Sequence, residues 1–236
     1  MHTSIEPGIL YFGTPVVLIS TINPDGSANL APMSSAFWLG WRCVLGLAAT
    51  SRTPQNMIRT GECVLNLPSA DLVAMVDRLA LTTGSDPVPE GKLRRGYRHE
   101  ADKFGLSGFT REASETVLAP RVRECPVQME AVVEAVHGMA EDDPGQRGTR
   151  QMIEVRIQRV HVDPGILMAG HANRIDPDKW RPLILNFQEF YGLSAKLHPS
   201  ALGTIPEALY RGPDIERARA APATDRCPLA RRPRRS

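Results

Sequence analysis

Residues 15–19, Pro-Val-Val-Leu-Ile, form an apolar run rich in β-branched side chains that stops at Ser20 and Thr21, the make-up of a buried strand. The chain must then reverse. In Asn23-Pro24-Asp25-Gly26 proline presets its own φ and glycine accepts the left-handed conformation that closes a tight hairpin. The returning segment, residues 29–37, carries Asn29, Ala31, Pro32, Ser34 and Ser35. It is too polar for an ordinary central strand, and its proline cannot donate to a ladder. Backbone amides released from pairing, beside two hydroxyls, suit a flat polar ligand. The competing reading is a β-bulge and turn that shape a barrel without touching a ligand.

A second apolar strand, residues 43–49, runs into Thr50-Ser51-Arg52-Thr53-Pro54-Gln55-Asn56. Hydroxyls and a guanidinium thus stand just ahead of an expected short helix over residues 53–61, which has a proline near its start and Gly61 at its end. This arrangement predicts a bound phosphate. Helix capping by Ser51 or Thr53 would account for the hydroxyls alone, but capping has no need of the charge on Arg52.

Downstream, residues 62–67 read as a strand, and residues 71–81 as a helix with Leu72, Met75, Val76 and Leu79 on one face. Residues 82–98 hold glycines, prolines and a basic cluster without apolar period, a long loop of the lid or binding type. A short helix is expected at residues 99–105. Two alternating strands, residues 127–139 and 152–162, should pair across an exposed turn at 141–148. A brief strand at residues 166–168 and a helix or turn at residues 176–180 follow. The chain divides into an arm (1–13), one domain (14–200) and an extension (201–236). From Gly212 onward the extension is mostly Arg, Ala and Pro, which predicts a segment that is mobile or docked on a neighbour and is dispensable for the core.

The order and spacing of several motifs resemble one family. Pro-Val-x-Leu-x-Ser-Thr from Pro15, Asp-Gly-x-x-Asn-Leu-Ala-Pro-x-Ser from Asp25, and Thr-x-x-Asn from Thr53 followed by Gly-Glu-x-Val-x-Asn are similar to the flavin reductase-like FMN-binding split barrels. Lys103-Phe104, Pro120-Arg121-Val122, the residues from Glu124 to Glu130 and the segment 161–191 extend the likeness to about residues 10–195. The resemblance implies a mainly β fold, an antiparallel split β-barrel with peripheral helices, and an FMN-dependent reductase that takes hydride from NAD(P)H. FAD is the alternative cofactor. It further implies that Asn29, Ala31 and Pro32 edge the pyrimidine side of the flavin, that Ser34 and Ser35 face its ribityl chain or phosphate, and that Tyr191 closes over the site. With Ser20, Thr50, Ser51, Arg52, Thr53, Asn56 and His171, these make up the expected cofactor-binding set. The implied partners are a second copy of the chain, in a homodimer, and a small-molecule electron acceptor or a monooxygenase. The other reading of the same barrel is a flavin carrier or sensor without turnover.

Composition narrows the remaining classes. A net charge of +2 argues against a dedicated nucleic-acid surface. No apolar run approaches the roughly 20 residues that span a bilayer, so a cytoplasmic protein without membrane contact is expected. Cys43, Cys63, Cys125 and Cys227 form no Cys-x-x-Cys pair, which leaves reduced structural thiols and no metal as the expectation. Nucleophile-elbow, zinc-helix, phosphate-loop and dinucleotide fingerprints are missing from the sequence.

Overall fold

The computed structural model describes residues 2–223. Seven strands, β1 (Val17–Ile22), β2 (Ala28–Met33), β3 (Ala36–Leu39), β4 (Arg42–Ala48), β5 (Glu62–Leu67), β6 (Val127–Gly138) and β7 (Arg150–Val162), form one antiparallel sheet. Their spatial order is β2-β1-β5-β6-β7-β4-β3. The outermost strands of this order are consecutive in the chain and joined only by Ser34 and Ser35. A link of two residues spans only a few ångströms, so the sheet must curl until its edges nearly meet. The result is a split barrel.

β1 is buried on both faces, which explains its unbroken apolar run. Val17 and Ile19 point into the barrel with Leu45, Leu65, Val155 and Ile157. Leu18 packs outside it against Val76, Leu79, Phe104 and Leu183, residues carried by or near the short helices α2 (Val73–Asp77) and α4 (Lys103–Ser107). Helix α1 (Arg52–Thr60) ends at Gly61, whose φ of 74° is the left-handed cap expected of glycine.

Several expectations are corrected here. Residues 28–33 are not released from pairing: β2 matches β1 residue for residue from Ala28↔Ile22 to Met33↔Val17. As the terminal strand of the sheet it keeps one unpaired edge, and an edge is where Pro32 is tolerated. The helix expected at residues 71–81 is shorter, a 3-10 turn (Ala70–Leu72) followed by α2, because the chain turns at Leu81, φ 53°. Residues 82–98 contain α3 (Glu90–Leu93) and the strand pair Thr82–Thr83 with Arg98–His99. Residues 164–166 form a 3-10 turn where the brief strand was expected to begin.

The extension also differs from expectation. Helix α5 (Pro213–Ala220) packs on β7 with Ala218 4% exposed. Arg42 ties it down, with Nε donating to Asp214 Oδ2 at 2.9 Å and Nη1 to Glu154 Oε1 at 2.6 Å. A small residue and ion pairs thus anchor a segment that lacks large apolar side chains. Residues 224–236, where Cys227 and the terminal arginines lie, are outside the described residues.

Glu130 on β6 is fully buried and holds the connection at residues 113–119. It accepts from Glu115 N at 2.8 Å, from Thr116 N at 2.5 Å, from Thr116 Oγ1 at 2.6 Å and from His161 Nε2 at 2.8 Å. Burial alone would raise its pKa, but the hydrogen bonds from His161, Thr116 and Glu115 outweigh it and hold the carboxyl down to about 2. Glu130→Ala would strand these donors and should cost on the order of 3 kcal/mol in urea unfolding. Because the folded pKa lies below the ordinary one, the carboxylate's contribution is complete at neutral pH. It should fade as pH falls from about 4.5 toward 2, and a wild-type advantage over Glu130→Ala that stays constant through that window would contradict the assignment.

Candidate functional site

A buried polar network fixes α1 against the β1–β2 hairpin. Asn29 Nδ2 donates to Thr21 Oγ1 at 3.3 Å and to Thr53 Oγ1 at 3.1 Å, and Asn56 Nδ2 donates to Thr21 Oγ1 at 3.1 Å and to Asn23 Oδ1 at 2.9 Å. Asn29 and Asn56 are 2% and 1% exposed, so unpaired amides here would be costly. The N-terminus of α1 is thereby set beside the unpaired edge of β2.

A pocket opens at that junction. Ile19, Ala31, Pro32, Met33 and Leu47 give it an apolar floor, and Ser51, Arg52 and Thr53 from the start of α1 form one wall. Residues 79–84 form the other wall, with Lys92, Tyr97 and Lys103 above. Gly84 is needed because of close approach: a Cβ there would sit 2.6 Å from Asn29 Oδ1 and 3.2 Å from Arg52 Cγ. Arg52 Nε donates to Gly84 O at 3.0 Å, which steadies the guanidinium at the pocket wall.

The charges are one-sided. Arg52, Lys92 and Lys103 line the pocket and no carboxylate does. Lys92 Nζ donates to Thr83 Oγ1 at 3.1 Å and lies 5.6 Å from the Tyr97 ring centroid. Lys103 is 3% exposed, yet its ammonium makes no hydrogen bond or ion pair among the described residues. Burial, with the nearby charge of Lys92 adding to it, lowers its pKa to about 8. Burial, then Arg95, also lowers Lys92. The Ser51 side chain does not cap α1, and no acidic residue occupies the helix's first turn. The free amides of that turn, the helix dipole and three cations converge on a site suited to an anion beside a flat apolar surface.

Of the residues expected from the sequence, the structure brings Ala31, Pro32, Ser51, Arg52 and Thr53 to this pocket. Ser20, Asn29 and Asn56 instead serve the packing. Ser20 is fully buried and its hydroxyl donates to Pro120 O, while the two asparagines spend their amides in the network under α1. Ser34 and Ser35 form the link between β2 and β3, Thr50 is exposed ahead of the helix, and His171 and Tyr191 are exposed elsewhere. None of these five lines the pocket. Sequence reasoning did not select Thr82, Thr83, Gly84, Lys92, Tyr97 and Lys103. The available signals were the basic cluster in the long loop and a lysine inside the short helix expected at residues 99–105.

Other chemistry finds little support among the described residues. No group of His, Cys, Asp or Glu is arranged to hold a metal ion, and no helix is long and apolar enough to cross a membrane. Cys43, Cys63 and Cys125 are buried free thiols, and burial pushes Cys43 up to about 12 and raises the other two as well. Such thiols are poor nucleophiles.

Fold and site together define a split-barrel protein with a cationic pocket at the barrel edge. Residues 9–194 match the flavin reductase like domain. The chain is 34% identical over 193 residues to YdfE of Bacillus subtilis (strain 168), an uncharacterized protein, with 82% of this chain and 90% of that one covered. Flavoredoxin from Methanosarcina acetivorans shares the fold with a TM-score of 0.67 at 21% identity, covering 86% of this chain and 97% of its own. Nitrilotriacetate monooxygenase component B from Bacillus cereus does so with a TM-score of 0.66 at 20% identity, covering 84% and 99%. The chain therefore belongs to the flavin reductase-like family.

The desolvated Lys103 has a testable cost. Its folded pKa lies below the ordinary lysine value, so the unfolded chain holds more protons between about pH 8 and 10.5 and stability rises with pH across that window. Ligand-free Lys103→Met should therefore melt above the wild type at pH 7, and the difference should shrink as pH approaches 10. A variant that melts lower at pH 7 would mean that the ammonium is well solvated or paired.

Proposed function

We propose that the protein is a flavin-dependent oxidoreductase that binds FMN in the pocket at the start of α1. It would draw hydride from NADH or NADPH and pass electrons to a small acceptor or to a partner monooxygenase. The observation that carries this reading is the pairing of an apolar floor with three cations, a free helix N-terminus and no lining carboxylate. Ser51, Arg52, Thr53 and Lys92 would hold the phosphate. Ala31, Pro32 and Met33 on the edge of β2 would face the ring system, and Lys103 would meet its polar rim. Bound there, the isoalloxazine supplies the redox chemistry, so the protein needs no triad or metal of its own. What the chain contributes is binding, orientation and shelter from water by the segment 79–103.

Two neighbours support the reading of a partner monooxygenase by name. One is component B of nitrilotriacetate monooxygenase, and another, at a TM-score of 0.52 and 13% identity, is the styrene monooxygenase flavin reductase of Pseudomonas putida S12. A cytoplasmic homodimer fits the same picture, since Phe37 and Leu39 on the edge strand β3 are 59% and 82% exposed and closed two-fold pairing is the common way to cover such a strip.

The experiment is direct. Purified protein incubated with FMN and desalted should retain flavin absorbance and should oxidise NADH or NADPH in the presence of added FMN. Retained flavin without NAD(P)H oxidation would point to a carrier, and no retained or titratable flavin would overturn the proposal. Arg52→Ala should weaken FMN binding, read by quenching of flavin fluorescence, by about ten- to a hundredfold, the loss of one charge-assisted contact to a shielded anion. An unchanged affinity would remove Arg52 from the phosphate site.

A further inference from the structure

A second cleft, of about 710 Å3, lies between β7, the turn at residues 167–175 and the C-terminal extension. It shares no lining residue with the pocket at α1. One wall, which includes Tyr210, Arg211, Ile215 and Arg219, lies beyond residues 9–194, the part that matches the family. The cleft is thus closed by a segment beyond the family-matched barrel, and the bridge from Arg42 to Asp214 together with the buried Ala218 holds that segment in place.

The lining combines an apolar body with cations. Trp41, Val160, Leu167 and Ile175 come from the barrel side, and Tyr210 and Ile215 face them from the extension. The charged residues are Arg159, Arg211 and Arg219 against the single acid Glu207. Glu207 already has Arg174 at 3.8 Å, Arg219 has Glu216 at 3.0 Å and Arg159 has Glu115 at 3.2 Å. Arg211 has no side-chain hydrogen bond or ion pair among the described residues, although a guanidinium offers five donors. A cleft of this size with aromatic and branched walls and an uncommitted arginine at its rim suits an organic carboxylate with an apolar body.

We propose that the C-terminal extension completes a second binding site, which takes an aryl or medium-chain carboxylate in contact with Arg211 and the Trp41 side of the barrel. Occupancy joins the extension to the barrel and is independent of flavin. The test is calorimetric titration of the full-length protein with salicylate and with decanoate, using benzyl alcohol as the neutral counterpart, with and without saturating FMN. Expected are binding of at least one carboxylate, an affinity unchanged by FMN, and weaker or no binding of benzyl alcohol. Arg211→Gln, a change at an exposed position, should lower carboxylate affinity about tenfold, the loss of one charge-assisted contact, and Arg52→Ala should leave it alone. Filling the cleft with Ile215→Trp should abolish binding while flavin uptake persists. No heat with either carboxylate up to millimolar concentration would overturn the proposal. So would competition with FMN, or an affinity indifferent to both Arg211→Gln and Ile215→Trp. None of these results bears on flavin binding, which is read separately from flavin fluorescence.

Discussion

Everything at the α1 pocket depends on how four buried polar side chains spend their hydrogen bonds. Thr21 on β1 accepts from both Asn29 and Asn56, and Asn29 also reaches Thr53 on the first turn of α1. These groups are nearly inaccessible to water, so each must find a partner inside the protein. The observed placement of the helix on the hairpin lets all of them do so. That placement aims the helix's free amides along the edge of β2 and brings Arg52 against the carbonyl of Gly84. The missing Cβ of Gly84 lets the second wall approach. Position, charge and shape of the pocket follow from one satisfied network.

The pocket is assembled at a cost to the fold. Lys103 is buried without a hydrogen bond or ion pair among the described residues, and the like charge of Lys92 nearby is offset only in part by Glu100. Leu81 holds a positive φ at the point where the second wall turns, a conformation that costs a non-glycine residue roughly 1 to 3 kcal/mol. Elsewhere the barrel behaves differently. Glu130 is as deeply buried as Lys103, but its oxygens are fully engaged by backbone, hydroxyl and imidazole donors, and its role is to fix a loop.

Much of the barrel was legible in the sequence. The apolar run of β1, the Asn23 to Gly26 turn, the glycine-ended helix α1 and the long β6–β7 pair are set by local patterning, and the order of motifs pointed to the family. The site was legible only in part. Ser51, Arg52 and Thr53, which line the pocket, can be picked out together because hydroxyls and a guanidinium at a helix start are a local feature. Asn29, Asn56 and Ser20 put their side chains into buried hydrogen bonds with partners 8 to 100 residues away, which local patterning does not show. The second wall was invisible for a similar reason. Its basic loop joins the site through contacts such as Lys92 with Thr83 and His99 with Ser85, which no periodicity announces. The anchor of the extension is likewise long-range, since Asp214 meets Arg42, 172 residues away in sequence.

As proposed, the α1 pocket joins a phosphate site to a ring site. The most direct measurement is the affinity of the unmodified protein for FMN and for riboflavin, which differ only by the phosphate, at low and at high salt. FMN should bind at least about tenfold more tightly than riboflavin at low salt, and added salt should narrow the gap by screening the cations. Equal affinities at low salt would contradict it.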